Sequence, residues 1–285
     1  MAKMKLDLVD VFGAQPLRGN PLGVVHGGEG LAEAAMLELT RWLGFSETCF
    51  LLPPTDPAAD YRVRIFYPAG ELPFAGHPTL GACHAWLENG GTPQREGLVV
   101  QQCGAGLVEV KRAEAQLAFC APPIVKGGEL GGPERTEAVR VAGVAAGDVA
   151  EAVHADNGPG WKMLRLHSAE QVLAAQPLAS APPDTDVGLV GPHGEGAEVQ
   201  WEVRAFFADQ HGRLVEDPVT GSFNAAAAMY LFGSGLARES YVAAQGSKVG
   251  AEGRIHCSID KNRAVWVGGR TDTIARGAAL PVFTP

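Results

Sequence analysis

The sequence predicts an α+β protein of two similar halves, each a set of short strands that curl together with one Ala-rich helix. Three observations carry this. At 285 residues the chain is long for a single core and long enough for two. Its 37 glycines and 20 prolines imply frequent turns, which favour many short strands over long bundled helices. The order strand, turn, Ala-rich helix occurs twice, opened by Gly76-His77-Pro78-Thr79 and again by Gly221-Ser222-Phe223-Asn224.

Taken in order, Met4–Phe12 alternates as a strand, Gly19-Asn20-Pro21 turns it, and Leu22–Val25 returns as the second arm of a hairpin. Leu31–Leu43 has apolar residues at helical spacing and stops at Gly44. Thr48–Leu52 and, beyond Pro53-Pro54, Tyr61–Tyr67 read as strands; Pro78–Leu87 reads as a helix that Gly90-Gly91 ends. Leu98–Gln102, Leu107–Lys111 and Gln116–Cys120 are short runs parted by Gly, as expected of a curling sheet.

Pro122–Pro133, with its Pro pair, four Gly and no periodicity, reads as the linker. The halves are then 1–121, joined by the tail 275–285, and 122–274, with the active site expected in the cleft between them. In the second half Glu137–Val144 and Ala169–Ala175 fit short helices. Trp161–Leu166, Val187–Val190 and Val199–Phe207 fit strands, Ala179–Asp186 fits a Pro-rich loop, and Ser222–Leu231 fits a helix ended by Gly233.

Composition narrows the function. Hydrophobic residues at 46% and charged residues at 19% are those of a soluble globular protein. A net charge of −9 without a Lys/Arg cluster argues against nucleic acid, though a local pocket of backbone N–H groups can still bind a small anion. Five scattered cysteines without a CxxC pair read as reduced thiols. The start, MAKMKLDLVDVF, has no apolar h-region, and no span reaches ~20 apolar residues, so the expectation is a cytoplasmic protein with no membrane partner. Nucleotide fingerprints and HExxH are absent and the eight histidines are dispersed, so no metal is expected.

The two helix openings hold the chemical interest, because helix N-termini expose unpaired N–H groups and a partial positive charge that suit a carboxylate. Gly76 and Gly221 equally suit a plain strand-to-helix turn; their duplication favours function. Around them the strings Arg18-Gly19-Asn20-Pro21, Ser46-Glu47-Thr48, Glu71-Leu72-Pro73-Phe74-Ala75-Gly76-His77-Pro78-Thr79 and Glu216-Asp217-Pro218-Val219-Thr220-Gly221-Ser222 resemble, in order and separation, the signature blocks of PhzF-like (phenazine biosynthesis) proteins. The segment from about Pro122 to Val199 resembles little.

The resemblance implies the diaminopimelate-epimerase-like fold: two pseudo-symmetric domains, each a curled, mostly antiparallel, barrel-like sheet wrapped around a central helix. Related racemases of that fold carry a thiol before each helix-opening Gly. Those positions are Ala75 and Thr220 here, so a two-thiol mechanism is disfavoured, since neither side chain exchanges protons at neutral pH.

The resemblance assigns the proton carrier to Glu47, with His77 and Asp217 as further catalytic groups and Gly76, Gly221, Ser222 and Asn20 as substrate-binding groups. On residue chemistry alone, Glu47 also suits a solvated strand start, Ser222 a helix cap and Asp217 a turn before Pro218. Gln245-Gly246-Ser247-Lys248-Val249-Gly250 resembles a further block and equally suits a hairpin loop, and Phe223 departs from the small residue usual after the Ser. The implied function is a cofactor-independent isomerase or epimerase moving a proton on a small anionic, carboxylate-bearing metabolite, as a homodimer. A non-catalytic metabolite binder of the same fold is the alternative, and deuterium wash-in from heavy water separates the two.

Overall fold

A computed structural model describes residues 4–113 and 116–280, apart from the side chain at 113; the last five residues of the expected tail lie outside this set. The chain forms two compact units, one of Met1–Cys120 with Gly268–Pro285, the other of Ala121–Val267.

The first unit contains β1 (Lys5–Val11), β2 (Asn20–His26), α1 (Glu33–Leu43), β3 (Thr48–Leu52), β4 (Tyr61–Tyr67) and β5 (Gly70–Leu72). It continues with α2 (Gly76–Glu88), β6 (Leu98–Cys103), β7 (Gly106–Ala113) and β8 (Gln116–Cys120). The second contains α3 (Gly132–Ala142), β9 (Val149–His154), β10 (Lys162–Leu166), α4 (Ala169–Ala174), β11 (Asp186–Pro192) and β12 (Trp201–Ala208). After these come β13 (Leu214–Glu216), α5 (Gly221–Gly233), β14 (Ser240–Gln245), β15 (Gly253–Ile259) and β16 (Val265–Ala279), whose residues from Gly268 return to the first unit.

In the first unit β1, β2, β3, β4, β6, β7, β8 and the returning part of β16 follow one another in the sheet. β16 pairs back onto β1 with Val11 opposite Thr271 and Leu6 opposite Ala278, closing an eight-stranded barrel. Closure removes the exposed edges that an open sheet would present. β2–β3 and β4–β6 are parallel; β1–β2, β3–β4, β6–β7 and β7–β8 are antiparallel.

The barrel surrounds α2. Nine of its 13 residues are buried on all sides of the helix, so it is an interior element rather than an amphipathic cover. Small residues allow the approach: a Cβ on Gly81 would lie 2.4 Å from a Leu22 methyl. On the outside, α1 lays Met36 and Leu39 over Leu6, Val25, Phe50 and Phe66, and ends at Gly44 in the left-handed conformation (φ 71°).

The second unit repeats this plan, with α3 added ahead of its first strand. β9 to β12, β14 and β15 pair in the order and sense of β1 to β4, β6 and β7, with β10–β11 and β12–β14 the parallel pairs. β13 hairpins onto β12 as β5 does onto β4, and α4 stands where α1 stands. α5 is the counterpart of α2, also with nine of 13 residues buried.

Several sequence expectations shift. α3 starts at Gly132, inside the Gly/Pro-rich stretch read as linker, because Pro133 falls in the first helical turn, where its missing N–H costs nothing. β5 and β13 are too short for periodicity to show, and β9 was not anticipated. Among the described residues no helix is long and apolar enough to cross a membrane.

Candidate active site

In the first unit the site begins where α2 begins. Ala75 stands extended at the N-cap (φ −151°, ψ 142°) and, having no side-chain oxygen, caps nothing. Pro78 has no N–H, so the first-turn donors are the amides of Gly76 and His77.

The His77 side chain is only 4% exposed. Its ring is hydrogen-bonded to the backbone of Pro21, which offers only a carbonyl. Nε2 has no hydrogen-bond partner among the described residues, so Nδ1 carries the proton and donates it to the Pro21 oxygen. Burial pushes the imidazole down to about 3, outweighing the Pro21 bond, so the ring is neutral at physiological pH and Nε2 presents a lone pair.

That lone pair faces Oε2 of Glu47 at 3.6 Å. Glu47 immediately precedes β3, and its side chain is 17% exposed. The separation is too long for a hydrogen bond, and a neutral ring makes no ion pair. The contact is instead a fixed acceptor beside a carboxyl group, an arrangement suited to accepting a hydrogen bond from that carboxyl when it is protonated.

Asn20, fully buried, opens β2 directly before Pro21 and so shares the backbone that orients His77. The loop leading to it folds over the buried Asp10 carboxylate, which accepts the N–H groups of Arg18 (3.1 Å) and Gly19 (3.0 Å). Gly19 is required here, since a Cβ would sit 2.1 Å from the Val11 carbonyl oxygen. The structure therefore brings Asn20-Pro21, Glu47 and Gly76-His77 together in one unit.

In the second unit α5 starts with Thr220 at the N-cap, a residue that ordinarily caps with its hydroxyl. It does not do so here: Oγ1 donates to Asp217 Oδ2 at 2.6 Å and accepts from Gln245 Nε2 at 2.9 Å. The opening amides of Gly221, Ser222 and Phe223 are thus left without a side-chain cap, while Asp217 Oδ2 accepts the Thr220 hydroxyl.

Gln245, buried at the end of β14, also accepts from the Thr220 amide (3.1 Å) and from Asn224 Nδ2 (2.8 Å), and donates to the Asp217 carbonyl (3.1 Å). It therefore welds strand, turn and helix start into one piece. Gln101 is its counterpart in the first unit, bonding Thr79 Oγ1 (3.0 Å) and Tyr61 OH (2.8 Å). Gln245 opens a block singled out in the sequence, but its hold on the helix start, like that of Gln101, was not read there; each lies on the first strand after an Ala-rich helix.

Ser222 caps nothing: its Oγ accepts Trp161 Nε1–H at 3.1 Å and its carbonyl accepts Asn157 Nδ2–H at 2.9 Å. Phe223 lies fully buried, its ring over Gly188 and 5.2 Å from that of Trp161, so it fills the unit's interior rather than lining a pocket. Lys248 is exposed in the 3-10 turn Ser247–Val249 that links β14 to β15. Among the described residues no group of three or more His, Cys, Asp or Glu could hold a metal ion.

Comparison with known proteins adds identity to this geometry. The family model described as phenazine biosynthesis-like protein, PhzC-PhzF, matches residues 9–277. A Schizosaccharomyces pombe protein named antisense-enhancing sequence 1 is 32% identical, over 98% of this chain and all of its own length. The trans-2,3-dihydro-3-hydroxyanthranilate isomerase of Pseudomonas aeruginosa is 28% identical, over 95% of this chain and 98% of its own. A solved P. aeruginosa structure described as a predicted epimerase superposes with a TM-score of 0.79 at 29% identity, over 98% of this chain and 99% of the other.

Proposed function

This chain belongs to the phenazine biosynthesis-like (PhzC-PhzF) family and is an isomerase, and from that premise we propose that it moves a proton between carbons of a small carboxylate, without a cofactor, using Glu47 as the carrier. The observation that supports this best is the Glu47–His77 contact: an acid beside a buried, neutral imidazole whose free nitrogen is fixed by the Pro21 bond. One C–H bond is broken as Glu47 takes the proton, the double bonds of the substrate shift, and a second C–H bond forms as Glu47 returns it. Nε2 of His77 accepts a hydrogen bond from protonated Glu47 in the interval, so that the proton stays out of bulk water.

In this reading Asp217 serves as an acceptor for a donor on the substrate, Ser222 and the Gly221 amide form an anion-binding helix start in the second unit, and the Gly76 amide offers the corresponding group in the first. Asn20 contributes a further polar contact. The ring-bearing amino carboxylate acted on by the P. aeruginosa relative is the first substrate to test, and a homodimer belongs to the same reading.

The test is turnover of trans-2,3-dihydro-3-hydroxyanthranilate in heavy water. Wild type should wash deuterium into substrate or product, whereas Glu47→Gln should retain fold and ligand binding and lose turnover by about 100-fold or more. Near-normal turnover in Glu47→Gln would overturn the assignment.

A further inference from the structure

We infer that Trp161 is a positioning residue that sets the Ser222 hydroxyl as a hydrogen-bond donor toward a bound carboxylate. An indole N–H can only donate, so the Trp161 Nε1–Ser222 Oγ contact at 3.1 Å occupies an acceptor lobe of the hydroxyl. Ser222 Oγ makes no other hydrogen bond with the described residues, so its own O–H remains to be donated, which is the polarity an anion requires. A serine at this position without the indole would rotate freely between donor and acceptor roles.

The surrounding loop is built to hold this contact. Asp156 Oδ1 accepts the amides of Gly158 (2.7 Å) and Gly160 (3.0 Å), shaping the turn that delivers Trp161. Gly158 and Gly160 both take positive φ, 134° and 87°, conformations that favour glycine. Asn157, on the same turn, grips the Ser222 carbonyl at 2.9 Å. Because the peptide is planar and trans, fixing that carbonyl also fixes the Phe223 N–H on its opposite side, another opening donor of α5. The indole, 3% exposed, is itself wedged against Phe223, so its N–H has little freedom.

The inference rests on the reading that Ser222 binds the substrate carboxylate, and a double-mutant cycle separates the two. The probe is anthranilate, a stable aromatic amino carboxylate, titrated calorimetrically into wild type, Trp161→Phe, Ser222→Ala and the double variant, each first checked for wild-type thermal unfolding. Trp161→Phe deletes the N–H and keeps a smaller aromatic ring against Phe223, and the Ser222→Ala background separates the lost hydrogen bond from the lost ring volume. Each single change should weaken binding about 3- to 10-fold, and the double variant should bind no more weakly than Ser222→Ala alone, because the indole acts through the hydroxyl.

If Trp161→Phe weakens binding by the same factor in the Ser222→Ala background, the indole acts by packing and the inference fails. If Ser222→Ala weakens binding while Trp161→Phe does not, the inference fails and the role of Ser222 stands. If Ser222→Ala binds as wild type, or wild type binds no anthranilate at millimolar concentration, the carboxylate-binding role falls and the inference with it.

Discussion

Gly188 on β11 and Phe223 on α5 share one space, and enlarging the glycine tests how tightly the second unit is built around its helix start. A Cβ placed on Gly188 would lie 2.0, 2.1 and 2.5 Å from Phe223 Cζ, Cε2 and Cε1, far inside the contact distance between carbons. The ring cannot swing into solvent, because Phe223 is fully buried, and Trp161 lies 5.2 Å from it. Overpacking of this kind costs about 1–3 kcal/mol, and a clash of three ring atoms places Gly188→Ala at the upper end, about 3 kcal/mol.

For a protein of this size that corresponds to a fall in Tm of about 6–12 °C. Differential scanning calorimetry and urea denaturation would measure it. Phe223→Leu, introduced with Gly188→Ala, should recover at least about 1 kcal/mol relative to the sum of the single effects, since it removes the atoms that collide. A Gly188→Ala protein as stable as wild type, or strictly additive single effects, would refute the packing argument. The same displacement should loosen the Phe223 amide and the adjacent Ser222.

Two further outcomes concern protonation. Burial raises Asp186 from 3.8 to about 7, with Asp184 and Asp156 adding to the rise and Lys162 opposing it. The native state therefore holds a proton that the unfolded chain releases above 3.8. The stability this contributes is present below that value and is lost as pH rises to about 7, by at most about 4 kcal/mol, less whatever solvent screens. Asp186→Asn should gain stability over wild type between pH 5 and pH 8 in urea denaturation; an equal difference at both pH values would contradict this. His77 is displaced the other way, so the stability it contributes is present above 6.5 and lost as pH falls toward about 3. Its ring resonances should show no titration between pH 5 and 8 by NMR, and an inflection near 6.5 would show that the imidazole is not buried neutral as described.

Much of the fold was legible because its strands carry their own signals. Thr48–Leu52, Tyr61–Tyr67 and Gln116–Cys120 are strands with the bounds read from alternation and flanking Pro or Gly. Both interior helices announced themselves through Ala-rich runs after a Gly. What stayed hidden depends on partners distant in sequence. Three-residue β5 and β13 exist only through backbone pairing to β4 and β12. Of the site, Gly76 and His77 are neighbours in sequence, but Glu47 reaches His77 only because β3 and α2 lie in one barrel, and the Pro21 carbonyl comes from a third element. Gln245, Trp161 and Asn157 lie 25, 61 and 65 positions from the residues they hold, and no local pattern encodes such pairs.

The duplicated plan also presents two helix starts with different side chains on one scaffold. In each unit a buried glutamine, Gln101 or Gln245, ties a strand to the fourth residue of the interior helix, Thr79 or Asn224. In each, the residue before the helix leaves the first amides uncapped, Ala75 for want of an oxygen and Thr220 because its hydroxyl is turned to Asp217. The second helical residue differs most in chemistry, His77 against Ser222. The first unit places an imidazole there against a carboxyl group, and the second places a hydroxyl held by an indole, with a carboxylate fixed three residues before the cap. The paired thiols that the resemblance places before each helix in related racemases are replaced here by Ala75 and Thr220. Under the proposed function, this divergence assigns proton handling to the first unit and hydrogen-bonding groups to the second. Substitutions at Glu47 should accordingly act mainly on kcat and those at Ser222 mainly on KM.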